Sequence, residues 1–315
     1  MKDPAKFRRE AVERLKRDVT GRAVVAASGG IDSTVAALLA EEALGDRVRA
    51  LFVDTGLLRQ GEVELVSDFF RASHLRFEVL HAEDRFFSAL KDVTDPEEKR
   101  RRIGAAFIRV FEEEAEKFHA DSLIQGTIAP DWIESGGQLR DTIKTHHNVG
   151  GLPKDLKLKI VEPLRDLYKD EVRALAAHLQ VPAPERQPFP GPGLAVRVNG
   201  VVTPERVRVE RVANAVVEEE VGRAIAAGRI TRPWQYFAVL LPARTVGVQG
   251  DNRVHGDAVC VRVVESVDAM TATAMALPPD LLRTIAERIT RELSGAVTRV
   301  LYDVTDKPPA TIEWE

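Results

Sequence analysis

Apolar positions recur along this chain in two rhythms. Over 4–17, Phe7, Val12 and Leu15 stand among charges, the spacing of a surface helix. The run Arg-Ala-Val-Val-Ala-Ala at 22–27 reads as a short buried strand. It breaks at Ser28-Gly29-Gly30 and passes into a helical pattern over 33–43. Strand-like runs at 47–53 and 75–80 flank a helical pattern over 62–71. A long helix is predicted over 96–118, with Glu97 and Glu98 in the first turn, where the helix dipole favours acids. A fourth strand is expected at 122–125. Strands alternating with helices imply a parallel sheet built from βαβ units.

From 127 to 159 the periodicity fades into Gly-, Asn-, Thr- and His-rich sequence, a length of loop that is usually functional or mobile. A helix is expected over 167–179. The stretch 181–193 then holds five prolines and two glycines, which suit neither a helix nor a central strand and mark a domain boundary. Beyond it the pattern predicts a strand at 194–198, a helix at 204–227, strands at 236–241 and 258–265, a helix at 279–293 and a strand at 299–304. That order suggests an α+β domain with helices on one face of a mostly antiparallel sheet. The expected domains are 2–186 and 187–315.

Charge and cysteine usage narrow the function classes. A net charge of −4 gives no global pull towards nucleic acid or an anionic membrane. The single cysteine excludes a disulfide scaffold, a cysteine-based zinc site and a two-thiol redox centre. Cys260 lies in the apolar run 258–264 and reads as core packing. The start lacks the apolar stretch of a signal peptide, and no run approaches a membrane span, so a soluble cytoplasmic protein is expected.

The chemistry concentrates first at Ser28-Gly29-Gly30-Ile31-Asp32-Ser33-Thr34, between a buried strand and a helix start. Glycines let the backbone turn sharply and approach a ligand. The first-turn N–H groups and the hydroxyls of Ser28, Ser33 and Thr34 could take phosphate oxygens. A plain helix cap would account for Asp32 or Ser33 alone, but not for three hydroxyls, two glycines and an acid together. The spacing is neither that of a Walker A loop, since no lysine is near, nor that of a dinucleotide fingerprint. Asp54, after the second strand, lies at the carboxyl edge where open α/β sheets bind ligands; it also serves as a plain strand terminator in Asp54-Thr-Gly56.

The loop resembles the pyrophosphate loop of the ATP pyrophosphatases, and further strings in order resemble the GMP synthetase family. They are Val53-Asp-Thr-Gly-Leu-Leu-Arg59, Pro96-Glu-Glu-Lys-Arg100, Gln125-Gly-Thr127, Pro130-Asp-Trp-Ile-Glu-Ser135 and Ile143-Lys-Thr-His-His-Asn148. Pro188-Phe-Pro-Gly-Pro-Gly-Leu194, Arg244-Thr-Val-Gly-Val-Gln-Gly-Asp251 and the tail Lys307-Pro-Pro-Ala-Thr-Ile-Glu-Trp-Glu315 complete the set, which spans nearly the whole chain. The resemblance implies an α/β fold: a Rossmann-like parallel-sheet ATP pyrophosphatase domain (adenine nucleotide alpha hydrolase-like), then a smaller α+β dimerisation domain. It also implies a ligase that adenylylates XMP with ATP and aminates the intermediate with ammonia.

The resemblance extends to individual residues. By it, ATP would be held by Ser28 to Thr34, by Val53 and Asp54, and by Gly126 and Thr127. Asp131 and Glu134 would hold Mg²⁺, although as a pair three apart they also fit a solvated acidic helix start. Asp32 and Lys144 would join them in catalysis, Lys144 meeting charge at the α-phosphate as the long loop closes. XMP would be met by Arg100 and Lys307, by Pro190, Gly191, Pro192 and Gly193, and by Gln249, Ile312 and Glu315. The basic pair could equally be surface charge, and the Pro-Gly segment a stiff linker. His146, His147 and Asn148 would belong to the lid; a metal reading of the two histidines fails for want of a third ligand at a recognisable spacing.

Three competing readings differ in chemistry. An RNA-modifying relative of the same loop family would favour a basic surface and, for the thiolases, paired cysteines. NAD synthetase would share the loop without the 307–315 tail. A non-catalytic nucleotide sensor would have no need of Asp131, Glu134 and Lys144 together. With the phosphate loop starting at Ser28, a glutaminase domain is expected on a separate chain, and the second domain is expected to pair two copies. No nucleic-acid or membrane partner is expected.

Overall fold

The run Ala23-Val-Val25 is wholly buried and forms the centre of a parallel sheet, as the unbroken apolar stretch requires. The computed structural model describes residues 3–129, 158–182, 187–267 and 269–315. The chain divides into two compact units. The first comprises Met1–Thr55, Gly61–Phe86 and Arg100–Glu185; the second comprises Gly56–Gln60, Phe87–Lys99 and Arg186–Glu315.

The sheet of the first unit contains β1 (Arg22–Ala26), β2 (Val48–Asp54), β3 (Phe77–His81), β4 (Ala120–Ile124) and β5 (Lys159–Val161). All pairings are parallel and the order is β3-β2-β1-β4-β5. The fifth strand is not foreshadowed by the pattern: three residues at a sheet edge leave too short a run to stand out in sequence. Helix α1 (Pro4–Asp18) begins with Asp3 accepting from Lys6 N at 3.0 Å and buries Ala11, Val12 and Leu15. Helix α2 (Ile31–Leu44) packs against α1 and against β1 and β2, so it is apolar on most of its circumference. Helices α3 (Glu62–Ala72), α4 (Glu83–Ala89), α5 (Pro96–Phe118) and α6 (Lys169–His178) follow in order. The predicted helices over 62–71, 96–118 and 167–179 thus form with their ends shifted by at most two residues.

In the second unit, β6 (Gln235–Gln249) and β7 (Asn252–Glu265) make a long antiparallel hairpin. The other edge of β7 takes β8 (Thr273–Ala274) antiparallel and β9 (Val297–Tyr302) parallel. Helix α7 (Pro204–Ala226) packs on β6 and on α8 (Pro279–Glu292), and α8 packs on β9. Phe237, Val239, Cys260, Val264, Ala272 and Ile312 form a buried cluster, so Cys260 is core and burial pushes its thiol up to about 12. The predicted strand at 194–198 is absent. Gly193, at φ +64, redirects the backbone, and Gly193–Val196 forms a buried 3-10 turn. Val198 makes a single bridge to Leu240. A short apolar run does not distinguish the two conformations. Among the described residues no helix is long and apolar enough to cross a membrane.

Candidate functional site

Strand order reverses between β2-β1 and β4-β5, so the connections leaving β1 and β4 diverge and open a crevice at the carboxyl ends of these strands. The segment Ser28–Gly30 leaves β1 there. Gly29 has φ +81, and a Cβ on it would lie 2.6 Å from Val66 Cγ2, so neither backbone nor space admits a side chain. Gly30 is the N-cap of α2 and brings no side chain to cap the first turn. Such a terminus presents backbone N–H groups and the positive end of the dipole to an anion.

The hydroxyls organise this loop from inside. Ser33 Oγ donates to Gly30 O at 3.1 Å, accepts from Ser28 N at 3.1 Å and lies 3.0 Å from Ser28 Oγ. Thr34 Oγ1 donates to Gly30 O at 2.8 Å and the residue is fully buried. Thr34 therefore shapes the loop, while Ser28 is exposed. Asp32 stands in the first turn of α2, half-buried, where the dipole favours a carboxylate.

Gly126 completes the crevice. It follows β4, and a Cβ there would stand 2.7 Å from Ser33 N and Cα and 2.8 Å from the Asp32 carbonyl carbon. Only glycine lets the β4 end lie against the first turn of α2. Thr127 beside it is half-buried, Val53 is buried at the end of β2, and Asp54 ends that strand. The residues expected around ATP among the described ones thus fall on three adjacent strand ends and one helix start.

The second group is held by the C-terminal tail. Arg262 is fully buried and donates to the carbonyls of Thr305, Thr311 and Ile312 and to Asp303 Oδ2 at 2.7–3.0 Å. Arg197, also buried, meets Glu313 through two nitrogens at 2.9 and 3.1 Å and stacks over Phe237. Lys99 is fully buried and donates to Val198 O at 2.8 Å and to the Glu315 carboxylate, whose other oxygen accepts from Gly200 N. Ile312 enters the core cluster and Lys307 Nζ donates to Ala269 O at 2.8 Å. Ile312 and the Glu315 side chain therefore anchor the tail.

Gly193 N donates to Pro190 O at 2.9 Å, so that amide faces into the turn; a Cβ on Gly193 would lie 2.4 Å from Leu57 O. Gly191 is exposed, Pro190 half-buried and Pro192 buried. Gln249, near the tip of the β6–β7 hairpin, donates to Ser294 Oγ. Arg100 is half-buried in α5. Sequence reasoning singles out Arg100 and misses Lys99, Arg197 and Arg262, whose only local signal is a cation inside an apolar run, as in Val261-Arg-Val263. Asp131, Glu134, Lys144, His146, His147 and Asn148 lie outside the described residues.

Comparison with known proteins covers both groups. The family described as GMP synthase C terminal domain matches residues 223–314, and the phosphoadenosine phosphosulfate reductase domain family matches residues 22–127. The synthetase subunit of glutamine-hydrolyzing GMP synthase from Pyrococcus horikoshii is 58% identical over 317 residues, covering 99% of this chain and 100% of that protein. The same-named protein of Thermoplasma acidophilum is 56% identical over 301 residues, 96% of each chain. That of Methanopyrus kandleri is 54% identical over 321 residues, 100% of each.

Proposed function

The chain belongs to the synthetase-subunit family of glutamine-hydrolysing GMP synthase, and on that footing we propose how its own residues serve the reaction. The activity is a carbon–nitrogen ligation. The C2 oxygen of XMP attacks the α-phosphorus of ATP and pyrophosphate leaves; ammonia then attacks C2 of the adenyl-XMP, AMP leaves, and GMP results. Such chemistry asks for positioning and charge neutralisation rather than an enzyme nucleophile.

The observation that carries the assignment of ATP is the approach of Gly126 to the uncapped first turn of α2. It supports a reading in which the 28–34 loop and the helix amides take the β- and γ-phosphates, with Val53, Asp54 and Thr127 around the rest of the nucleotide. Asp32, Asp131, Glu134 and Lys144 make up the catalytic set, Lys144 meeting charge at the α-phosphate. Mg²⁺ would neutralise phosphate charge when bound. Its assigned carboxylates, Asp131 and Glu134, lie outside the described residues.

XMP is assigned to Arg100, Lys307, Gln249 and the 190–193 turn, with Ile312 and Glu315 fixing the tail beside it. The expected domains, 2–186 for ATP and 187–315 for XMP and dimerisation, follow the same division of labour. A separate glutaminase chain supplies the ammonia, and the setting is cytoplasmic. Exposed Val246, Val248, Leu301 and Val304 in the second unit support pairing of two copies through it.

The test is AMP and pyrophosphate formation from ATP. It is expected to require XMP and Mg²⁺, with GMP appearing only when ammonia is added. Asp32→Ala is expected to abolish adenylylation with the helical content unchanged. Full turnover in that variant overturns the assignment of the loop, and nucleotide binding without AMP formation in the parent overturns the activity.

A further inference from the structure

At the ends of β2 and β3, the last residues Asp54 and His81 are paired across the sheet, and Ala82 N donates to Asp54 O at 2.9 Å. The chain turns at once into α4, whose first residue is Glu83. This register brings three side chains to one point. His81 Nδ1 lies 3.2 Å from Glu83 Oε1 and 3.7 Å from Asp54 Oδ2, and one ligand atom from each residue falls within 4.8 Å of the other two.

From this geometry we propose that Asp54, His81 and Glu83 form a binding site for a divalent transition metal of the Zn²⁺ type. Ligands held at about 2.1 Å from a tetrahedral ion stand about 3.4 Å from each other. The observed 3.2 and 3.7 Å bracket that spacing. Two carboxylate oxygens and a neutral imidazole nitrogen are all acceptors, and acceptors converge only around a cation or a proton. The imidazole donor selects zinc-like ions over Mg²⁺, which takes oxygen ligands. Two of the three ligands sit on paired strand ends, so the backbone fixes their separation without the ion.

The competing occupant is the imidazole's own proton, which would make the cluster an ordinary exposed ion pair. Calorimetric titration of EDTA-treated, dialysed protein with Zn²⁺ alone at pH 7.5 separates the two. The wild type is expected to show a site that His81→Ala and Glu83→Gln each weaken more than about tenfold, the least that loss of a metal-site contact costs. Excess Mg²⁺ is expected to leave it intact. Both positions are partly exposed, and circular dichroism checks that the variants fold. Substituting Co²⁺ should give visible absorption bands in the wild type that His81→Ala lacks. Zinc isotherms identical in wild type and His81→Ala, or no zinc binding to the wild type, overturn the proposal.

Discussion

Glu210 is fully buried in α7, and neither carboxylate oxygen has a hydrogen-bond partner among the described residues. Burial raises its pKa from 4.5 to about 8, against the opposing pull of Arg197. That guanidinium already serves Glu313 and Asn214, and Arg211 serves the carbonyls of Gly56 and Leu58. The carboxyl is therefore carried as a neutral acid in the folded chain and as a carboxylate in the unfolded one. With the folded pKa raised above the unfolded value, stability is greatest below pH 4.5. It is lost as pH rises from there through about 8.

Glu210→Gln keeps shape and neutrality at every pH, so it isolates this titration. Integrating the linkage between the two pKa values gives a gain for the variant of about 1 kcal/mol at pH 5, about 3 kcal/mol at pH 7 and about 4 kcal/mol at pH 8. Subtracting denaturant unfolding curves of wild type and variant at each pH cancels every other titrating group. Because the chain has two compact units, hydrogen exchange of α7 amides supplies a reading local to the second. A difference that stays flat between pH 5 and pH 8 refutes the reasoning. It would mean that water or a second copy satisfies the carboxylate.

Gly126→Ala places a Cβ 2.7 Å from the Ser33 backbone, and the displaced strand end should cost at least about 100-fold in kcat for AMP formation with unchanged circular dichroism; activity within twofold of wild type would sink the close-approach argument. Arg262→Met leaves Asp303 and three tail carbonyls without their donor and should destabilise by about 3–5 kcal/mol in denaturant unfolding. The same variant should raise KM for XMP while leaving KM for ATP unchanged, and an equal rise in both contradicts the placement of XMP at the tail. Light scattering should return twice the chain mass across a concentration series, and a concentration-independent monomer contradicts the pairing.

What can be read from sequence follows the range of the interactions that fix each feature. The 28–34 loop is legible because every device that shapes it is local: a buried strand before it, a glycine at positive φ, and hydroxyls bonding within five residues. The long helices are legible for the same reason, their apolar spacing and first-turn acids lying within their own bounds. The tail is legible only as a family string. Its hold on the second unit passes through Arg262, Arg197 and Lys99, which meet it across 50, 116 and 216 residues of sequence. Each cation sits in or beside an apolar run, where a local reading expects core. Such a residue enters the interior only with its hydrogen bonds satisfied, and here the tail's carbonyls and carboxylates satisfy them. The tail and the buried cations are thus mutually required: cutting either leaves the other as uncompensated polar groups inside the second unit. A chain truncated before Asp303 is therefore expected to lose the stability of that unit and not XMP binding alone.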